Sequence, residues 1–580
     1  MNKPNDDLNP AKAPAAAEDA PRRRQGRASQ LAALGLILIS ALASAGLAYV
    51  LKSPTPQAKK DERRGKSIPA HLFPDWGRPD FVLVLSAQQE GYLLPCGCSY
   101  PQKGGLERRY NFIQLLKAEK GWPVAAVDLG DVFQKTAPAK LPNVQGLIKY
   151  RYSMMALKEM GYLAVGIGEN EAGALAKIEG EWAANASQPA VLAANLVEAE
   201  NKFPFLKPLE TQIVPGTNIR IGVTNIIGPT VAKRIKDPEV KFLIPSVPSI
   251  REQLKKMRAE NVDLPILLYH GLATGTEEAF RCAQAFPDFP ILLALTEEDE
   301  PPANPISVDH NGGIRNYIFC LGRKGKSIGV LGVYRNGPNF RFKYQLVEMS
   351  EDYQTPPDEE ARQPIMKLME DYTRELKTKD YLKNYRQVEH VLQAMDPVPG
   401  LRNPAPSGQV APTYIGSEKC KKCHEHAYAI WKASPHSHAY QTLVEAKHPS
   451  LRQYDGECIV CHTVGFGYKT GFTNEKETPH LENVGCESCH GPGSLHAKNP
   501  ENQEWRERMN LPWRDARKKG NEQAKNKAIE QFCVTCHDID NDVNWVHKKE
   551  QDPLTGKWVE KDIFFEKWVK GKIIHNNPPE

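Results

Sequence analysis

Neither sign of charge dominates this chain of 580 residues. Its 75 lysines and arginines face 70 aspartates and glutamates, and the net charge of +5 is spread along the sequence. That balance excludes the basic footprint of a nucleic-acid-binding protein. Cysteine is sparse over the first two thirds, where Cys96, Cys98, Cys282 and Cys320 stand alone. Cys320 lies in an apolar strand pattern and Cys282 on an expected helix, so both read as buried residues. Long uncharged runs are nearly absent. The exception is residues 31–51, long enough to cross a bilayer as a helix. Arg22, Arg23, Arg24 and Arg27 precede it, which predicts a cytoplasmic basic tail over 1–30 and the rest of the chain outside. A cleaved signal peptide is the competing reading, because Ala43-Ser44-Ala45 resembles a cleavage site; the length of the run favours a retained anchor. Residues 52–78 read as a charged tether. A chain this long exceeds one core and predicts two or three domains.

The last third holds what the rest lacks. Cys-x-x-Cys-His occurs four times, as Cys420, Cys423 and His424; Cys458, Cys461 and His462; Cys486, Cys489 and His490; and Cys533, Cys536 and His537. Each is the attachment signature of a c-type haem. The two thiols add across the haem vinyl groups, and the adjacent imidazole reaches the iron. Zinc ribbons or disulfides would also use CxxC pairs, but neither needs a histidine after the second cysteine four times. Covalent haem is attached outside the bacterial inner membrane. That agrees with export past residues 31–51 and predicts a chain anchored there with its bulk in the periplasm.

From Asp80 onward, short apolar runs alternate with helical patterns. Residues 81–86, 124–129, 163–167, 191–196, 219–226, 265–269 and 290–296 read as buried strands. Residues 111–120, 148–161, 250–261 and 277–286 read as helices between them. The alternation predicts an α/β layered domain over 79–350. Residues 317–347 read as antiparallel hairpins with turns at 322–325 and 336–337. Residues 351–413 read as a helix, with Ile365, Leu368 and Met369 at helical spacing, followed by a proline-rich linker. Residues 414–580 are expected to be mainly α and packed around porphyrins, which supply the apolar mass.

Within that last region, CKKCHEHAYAIWKASPH (420–436), CHTVGFGYKTGFT (461–473) and VGCESCHGPG (484–493) resemble the tetrahaem cytochrome c-554 family. The resemblance implies four covalent haems c and redox proteins as partners. It also implies distal ligands: His496 opposite His424, His575 opposite His490 and His436 opposite His537. In that family the second haem, here on His462, is five-coordinate, and His448 and His480 are the nearest histidines to close it. Lys518, Lys519, Lys525 and Lys527 read either as a docking surface for a redox partner or as a solvated face.

VDLGDVF (127–133), ALKEMGYLAVGIGENE (156–171) and LLYHG (267–271) are similar to motifs of the 5′-nucleotidase branch of the calcineurin-like metallophosphoesterases. This implies a four-layer α/β/β/α sandwich. The metal-binding set is degraded. The family's Asp-x-His stands here as Ser86-Ala87-Gln88, its GNHE as Gly168-Glu169-Asn170-Glu171, and its last histidine-rich motif as Leu295-Thr296-Glu297-Glu298. A working metal pair is not expected, while one divalent metal on Glu90, Asp131, Glu171 and His270 stays open. Cys96-Gly97-Cys98, followed by Gly104-Gly105-Leu106-Glu107-Arg108-Arg109, resembles exported phosphoesterase-like proteins. The pair reads either as an easily reduced redox or metal site with arginines nearby, or as structural cysteines bridged to Cys282 or Cys320.

The expected function is a membrane-anchored, periplasmic multihaem cytochrome that transfers electrons and is coupled to a thiol or metal site in its first domain. Two alternatives remain. One is a redox enzyme for nitric oxide or hydroxylamine at an open second haem. The other is a metal-dependent phosphoesterase with an attached cytochrome. No catalytic residue is identified by the sequence.

Overall fold

The computed structural model describes residues 67–95, 102–184, 188–275, 277–394, 410–510, 522–538, 540–542, 545, 548–551 and 558–561. The uncharged run 31–51, most of the tether, Cys96, Cys98, most of the proline-rich linker, Lys518, Lys519 and His575 lie outside the described residues. Among the described residues no helix is long and apolar enough to cross a membrane.

β1 (Phe81–Ser86) is buried at every residue, as its unbroken apolar sequence requires of a strand covered on both faces. β2 (Val124–Asp128), β3 (Tyr162–Gly166), β4 (Ala190–Leu192) and β5 (Leu206–Lys207) extend it in parallel. A second sheet holds β6 (Leu209–Ile213), β7 (Arg220–Ile227), β8 (Leu264–Leu272), β9 (Ile291–Leu295), β10 (Ile306–Asp309) and β11 (Arg315–Phe319), in the order β10-β11-β9-β8-β7-β6. The hairpin β12 (Ser327–Asn336) and β13 (Asn339–Glu348) then returns to the first sheet, where β12 lies antiparallel to β1.

The two sheets share one core, in which Leu83, Val127 and Val165 cluster with Val223, Ile266 and Leu293. α1 (Leu106–Ala118), α2 (Gly146–Met160) and α3 (Leu175–Ala184) contribute Phe112, Leu157 and Ile178 to it from the first sheet. α4 (Val247–Ala259) and α5 (Glu278–Ala285) bury Leu254, Met257 and Ala283 against Leu267 and Leu292 of the second. Cys282 and Cys320 sit in that outer layer, buried and unbridged.

Residues 317–347 form one hairpin rather than the two expected. The turn at 336–337 joins β12 to β13, with Gly337 at φ +63°. The turn at 322–325 instead carries the chain from one sheet to the other. β11 finds a parallel partner in β9 and β12 an antiparallel one in β1, so each strand satisfies its backbone groups in a different sheet.

α6 (Pro364–Thr378) buries Ile365, Met369, Tyr372 and Leu376, packs against α2 and leads into the cytochrome-like half. That half is made of short helices. The first three CxxCH motifs lie on or next to Ser417–Lys421, Gly456–His462 and Cys486–His490, and the fourth starts at the end of Glu522–Cys533. Among the described residues its apolar core is small, built from residues such as Tyr385, Tyr414, Ile459, Phe472 and Leu481.

A polar seam holds the halves together. Gln145, fully buried at the start of α2, uses all four of its hydrogen-bonding positions there. Its Nε2 donates to the Tyr372 hydroxyl (2.7 Å) and to Asp455 Oδ1 (2.9 Å). Its Oε1 accepts from the Tyr385 hydroxyl (2.7 Å) and from the Gly456 amide (3.0 Å). Asp455 caps the helix that carries the second motif by accepting from Glu457 N (2.9 Å). One turn along α2, Lys149 pairs with Glu457. Lys324 and Lys326, from the turn between the sheets, both grip Asp540, three residues after His537.

Gln145→Leu keeps the side-chain volume but strands these buried partners. It is expected to cost about 2–4 kcal/mol in denaturant unfolding of the haem-loaded protein, and Tyr385→Phe about 1 kcal/mol. A Gln145→Leu protein as stable as wild type would contradict the role of the seam.

Candidate haem sites

In each motif the cysteines stand three residues apart, which in a helical turn puts both thiols on one face. All eight thiols are unbridged. The Cys420 thiol lies within hydrogen-bonding reach of Cys486, and that of Cys461 within reach of Cys536. The first motif therefore adjoins the third, and the second adjoins the fourth.

Three of the four motif histidines have Nδ1 held by an oxygen that can only accept. His462 donates to Ala439 O (2.6 Å), His490 to Met509 O (2.8 Å) and His537 to Asp542 Oδ2 (3.0 Å). An Nδ1–H donor fixes the tautomer whose lone pair lies on Nε2, the form that ligates a metal.

Two further histidines face two of these rings. The His496 ring centre lies 6.0 Å from that of His424, and the His436 ring centre 6.0 Å from that of His537. A ring nitrogen sits about 1 Å from the ring centre and imidazole–metal bonds are about 2 Å, so two imidazoles on one metal ion have centres about 6 Å apart. Nδ1 of His496 is buried without a hydrogen-bond partner. Burial, with His537 nearby, pushes His436 down to about 4. Burial also lowers His496, with His424 adding to the effect. Both are thereby neutral near pH 7, as a ligand must be. The residues present fit haem.

The remaining expected histidines are placed differently. His575 lies outside the described residues. His448 is engaged with Glu360 through Nε2 (2.8 Å), on the side of α6. His480 is exposed, with its backbone carbonyl against Gly416.

Three residues that matter here carry no sequence signal. Glu487, between the cysteines of the third motif, is 2% exposed. It accepts from Ile415 N (2.9 Å), Gly416 N (2.7 Å) and Gly493 N (2.7 Å), tying the approach to the first motif to the loop after the third. Burial raises its pKa against those three donors. Gly416 is needed where it stands, at φ +83°, because a Cβ would lie 2.5 Å from His480 O. His390 packs against Gly491, beside the third motif. Its Nδ1 accepts from Leu392 N (3.1 Å), which puts the ring proton on Nε2, the wrong tautomer for an Nε2 ligand.

In the first domain, the positions that would hold metals bond to one another or to the backbone. Ser86 donates to Asp128. Gln88 and Thr296 exchange two hydrogen bonds, Nε2 to O (3.1 Å) and N to Oε1 (3.2 Å). Glu171 accepts from the amides of Asp131 (3.0 Å), Phe133 (2.7 Å) and Gly168 (2.9 Å). Burial, reinforced by Asp131, pushes Glu171 up to about 8. Asp131 Oδ1 accepts from Asn170 N (2.9 Å), and Nδ1 of His270 lies 3.8 Å from Asp131 Oδ2 while its Nε2 meets Leu129 O. Glu90 is drawn away into a two-pronged pair with Arg323 (2.9 Å each). Arg109, fully buried, donates to Gln89 and stands 4.0 Å from Asp128 Oδ2.

The structure brings Asp131, Glu171 and His270 together with Glu90 beside them, the Glu90 amide donating to Asp131 O (2.8 Å) while its carboxylate turns to Arg323. Among the described residues no group of three or more histidines, cysteines, aspartates or glutamates is placed to hold a metal ion. Glu171 is held by three amides and the Glu90 carboxylate by Arg323, whereas Nδ1 of His270 is buried without a hydrogen-bond partner, 3.8 Å from Asp131 Oδ2.

Comparison with known proteins matches both halves. Residues 419–491 match the family model described as cytochrome c554 and c-prime. Cytochrome c-554 of Nitrosomonas europaea is 35% identical over 139 residues, covering 21% of this chain and 57% of that protein, so the chain spans little more than half of that relative. Among solved structures, the 5′-nucleotidase precursor of Thermus thermophilus aligns at 17% identity and a TM-score of 0.42, over 53% of this chain and 61% of its own. The calcineurin-like phosphoesterase YfkN of Bacillus subtilis aligns at 16% identity and 0.36, over 50% of this chain and 98% of its own. The chain is multidomain, with an α/β domain followed by a region that resembles the cytochrome c-554 family.

Glu487→Ala removes one acceptor from three buried amides. It is expected to cost about 3 kcal/mol and to lower the haem content of the exported protein. Full haem loading and unchanged unfolding would show that these three contacts do not organise the site.

Proposed function

We propose that this chain is a membrane-anchored, periplasm-facing electron carrier with four covalent haems. The observation that carries this reading is the pairing of motif histidines with second histidines at metal-bridging distance, His424 with His496 and His537 with His436. When bound, haem supplies a one-electron iron couple. The protein's own part is to present imidazoles in facing pairs and to hold neighbouring motifs against each other. Residues 31–51 are the anchor, and the sequence before and after them sets its direction.

The first domain serves this carrier as a rigid mount and as its redox-coupled neighbour. Tyr92, four residues before Cys96, has its ring 5.9 Å from the Lys324 ammonium, and Lys324 in turn holds Asp540 beside the fourth motif. That proximity supports coupling between a Cys96–Cys98 thiol pair and the fourth haem. A redox protein is the partner at the other end.

A second reading, small-molecule chemistry at the second haem, is favoured by the engagement of His448 with Glu360 and the exposure of His480. An open axial position there would admit nitric oxide or a similar ligand.

Electron paramagnetic resonance of the oxidised protein tests both. The expected spectrum is low-spin with a high-spin fraction near one haem in four, the latter altered by nitric oxide. His436→Ala should add a second high-spin haem. An entirely low-spin spectrum that ignores nitric oxide would remove the second reading, and a His436→Ala spectrum identical to wild type would contradict the ligand assignment.

A further inference from the structure

Three motif histidines donate their Nδ1 proton to oxygen, but not to the same kind. His462 and His490 donate to the main-chain carbonyls of Ala439 and Met509. His537 donates to a carboxylate, Asp542. We infer that Asp542 holds the fourth haem at the lowest reduction potential of these three, placing the low-potential end of the cytochrome against the first domain. The inference rests on the electron-carrier reading above.

The physical cause is the charge of the acceptor. A carbonyl is a neutral dipole. A carboxylate draws the Nδ1 proton more strongly, makes Nε2 a better electron donor and adds a negative charge near the iron. Each effect favours the ferric over the ferrous state. Asp542 is 23% and His537 30% exposed at the side chain, so the interaction is only partly screened.

Asp542 is a positioning residue whose own position is fixed. The turn after the motif closes on Asp538, whose Oδ1 accepts from Asp540 N (2.9 Å) and Asn541 N (2.7 Å), and whose carbonyl accepts from Asp542 N (2.7 Å). Asp540 is clamped between Lys324 and Lys326 of the first domain, which share Asp299 at 3.1 and 2.8 Å. Trp545, 2% exposed, stacks on the His537 ring at 4.3 Å and 20°. The ring thus has its plane set by Trp545 and its Nδ1 edge by Asp542, and the turn that supplies Asp542 is bolted to the other domain.

The test is a spectroscopic redox titration of the full-length, haem-loaded protein and its Asp542→Asn variant. The asparagine keeps the shape and removes the charge. One midpoint of four should rise, by about tenfold in the ferric/ferrous ratio at fixed potential, or ~59 mV for one electron. It should belong to the haem that turns high-spin in His436→Ala. Asp542→Ala should move the same midpoint the same way, and Asp542→Glu should restore it towards wild type. Four unmoved midpoints in both Asp542→Asn and Asp542→Ala would overturn the inference while leaving the carrier reading intact. A chain whose haems show no reversible reduction would overturn both.

Discussion

The constraint on which this structure depends is that the described residues of its second half bury little apolar side chain of their own. Among them ten buried residues, including Tyr385, Ile459 and Phe472, make up the apolar cluster. Short helices with so small a core do not hold metal ligands to fixed axes by packing alone. The polar seam supplies the missing restraint. Gln145 satisfies four partners at once, and two of them, Asp455 and Gly456, begin the helix of the second motif. Lys324 and Lys326 do the same for the turn after the fourth. A fully satisfied buried network of this kind specifies one arrangement, because any shift strands a polar group.

The first domain is suited to that task because its strand ends are tied to one another by buried polar contacts. Ser86 with Asp128, Gln88 with Thr296, and Glu171 with three amides connect the strand ends by hydrogen bonds. Arg109 provides a fixed cation among the buried carboxylates. One of the domain's turns, 322–325, reaches across to the second half, where Lys324 and the following Lys326 hold Asp540.

Legibility in the sequence follows the range of the interactions. The CxxCH motifs are local, and so are the apolar runs of β1, β2, β3 and β9, which the sequence places within a residue or two of their positions. The departures from the resembled metal-binding motifs are equally plain, because they are written in residue identities such as Gln88 and Asn170. The crossing at 322–325 is not legible, because two adjacent strands and a glycine turn look the same whether they pair together or join different sheets. Gln145, Glu487 and Asp542 carry no signal, since each acquires its role only from partners that folding brings together, some of them hundreds of residues away. Cys96, Cys98 and His575 lie outside the described residues, and their roles rest on resemblance and on what flanks them.

The central proposal is that the second half of the chain carries four covalent haems on its CxxCH motifs. Elemental analysis of the purified, exported full-length protein tests it in a single measurement. The account predicts four iron atoms per chain, all retained after denaturation because the haems are covalent. Fewer than four irons, or iron released on denaturation, would contradict it.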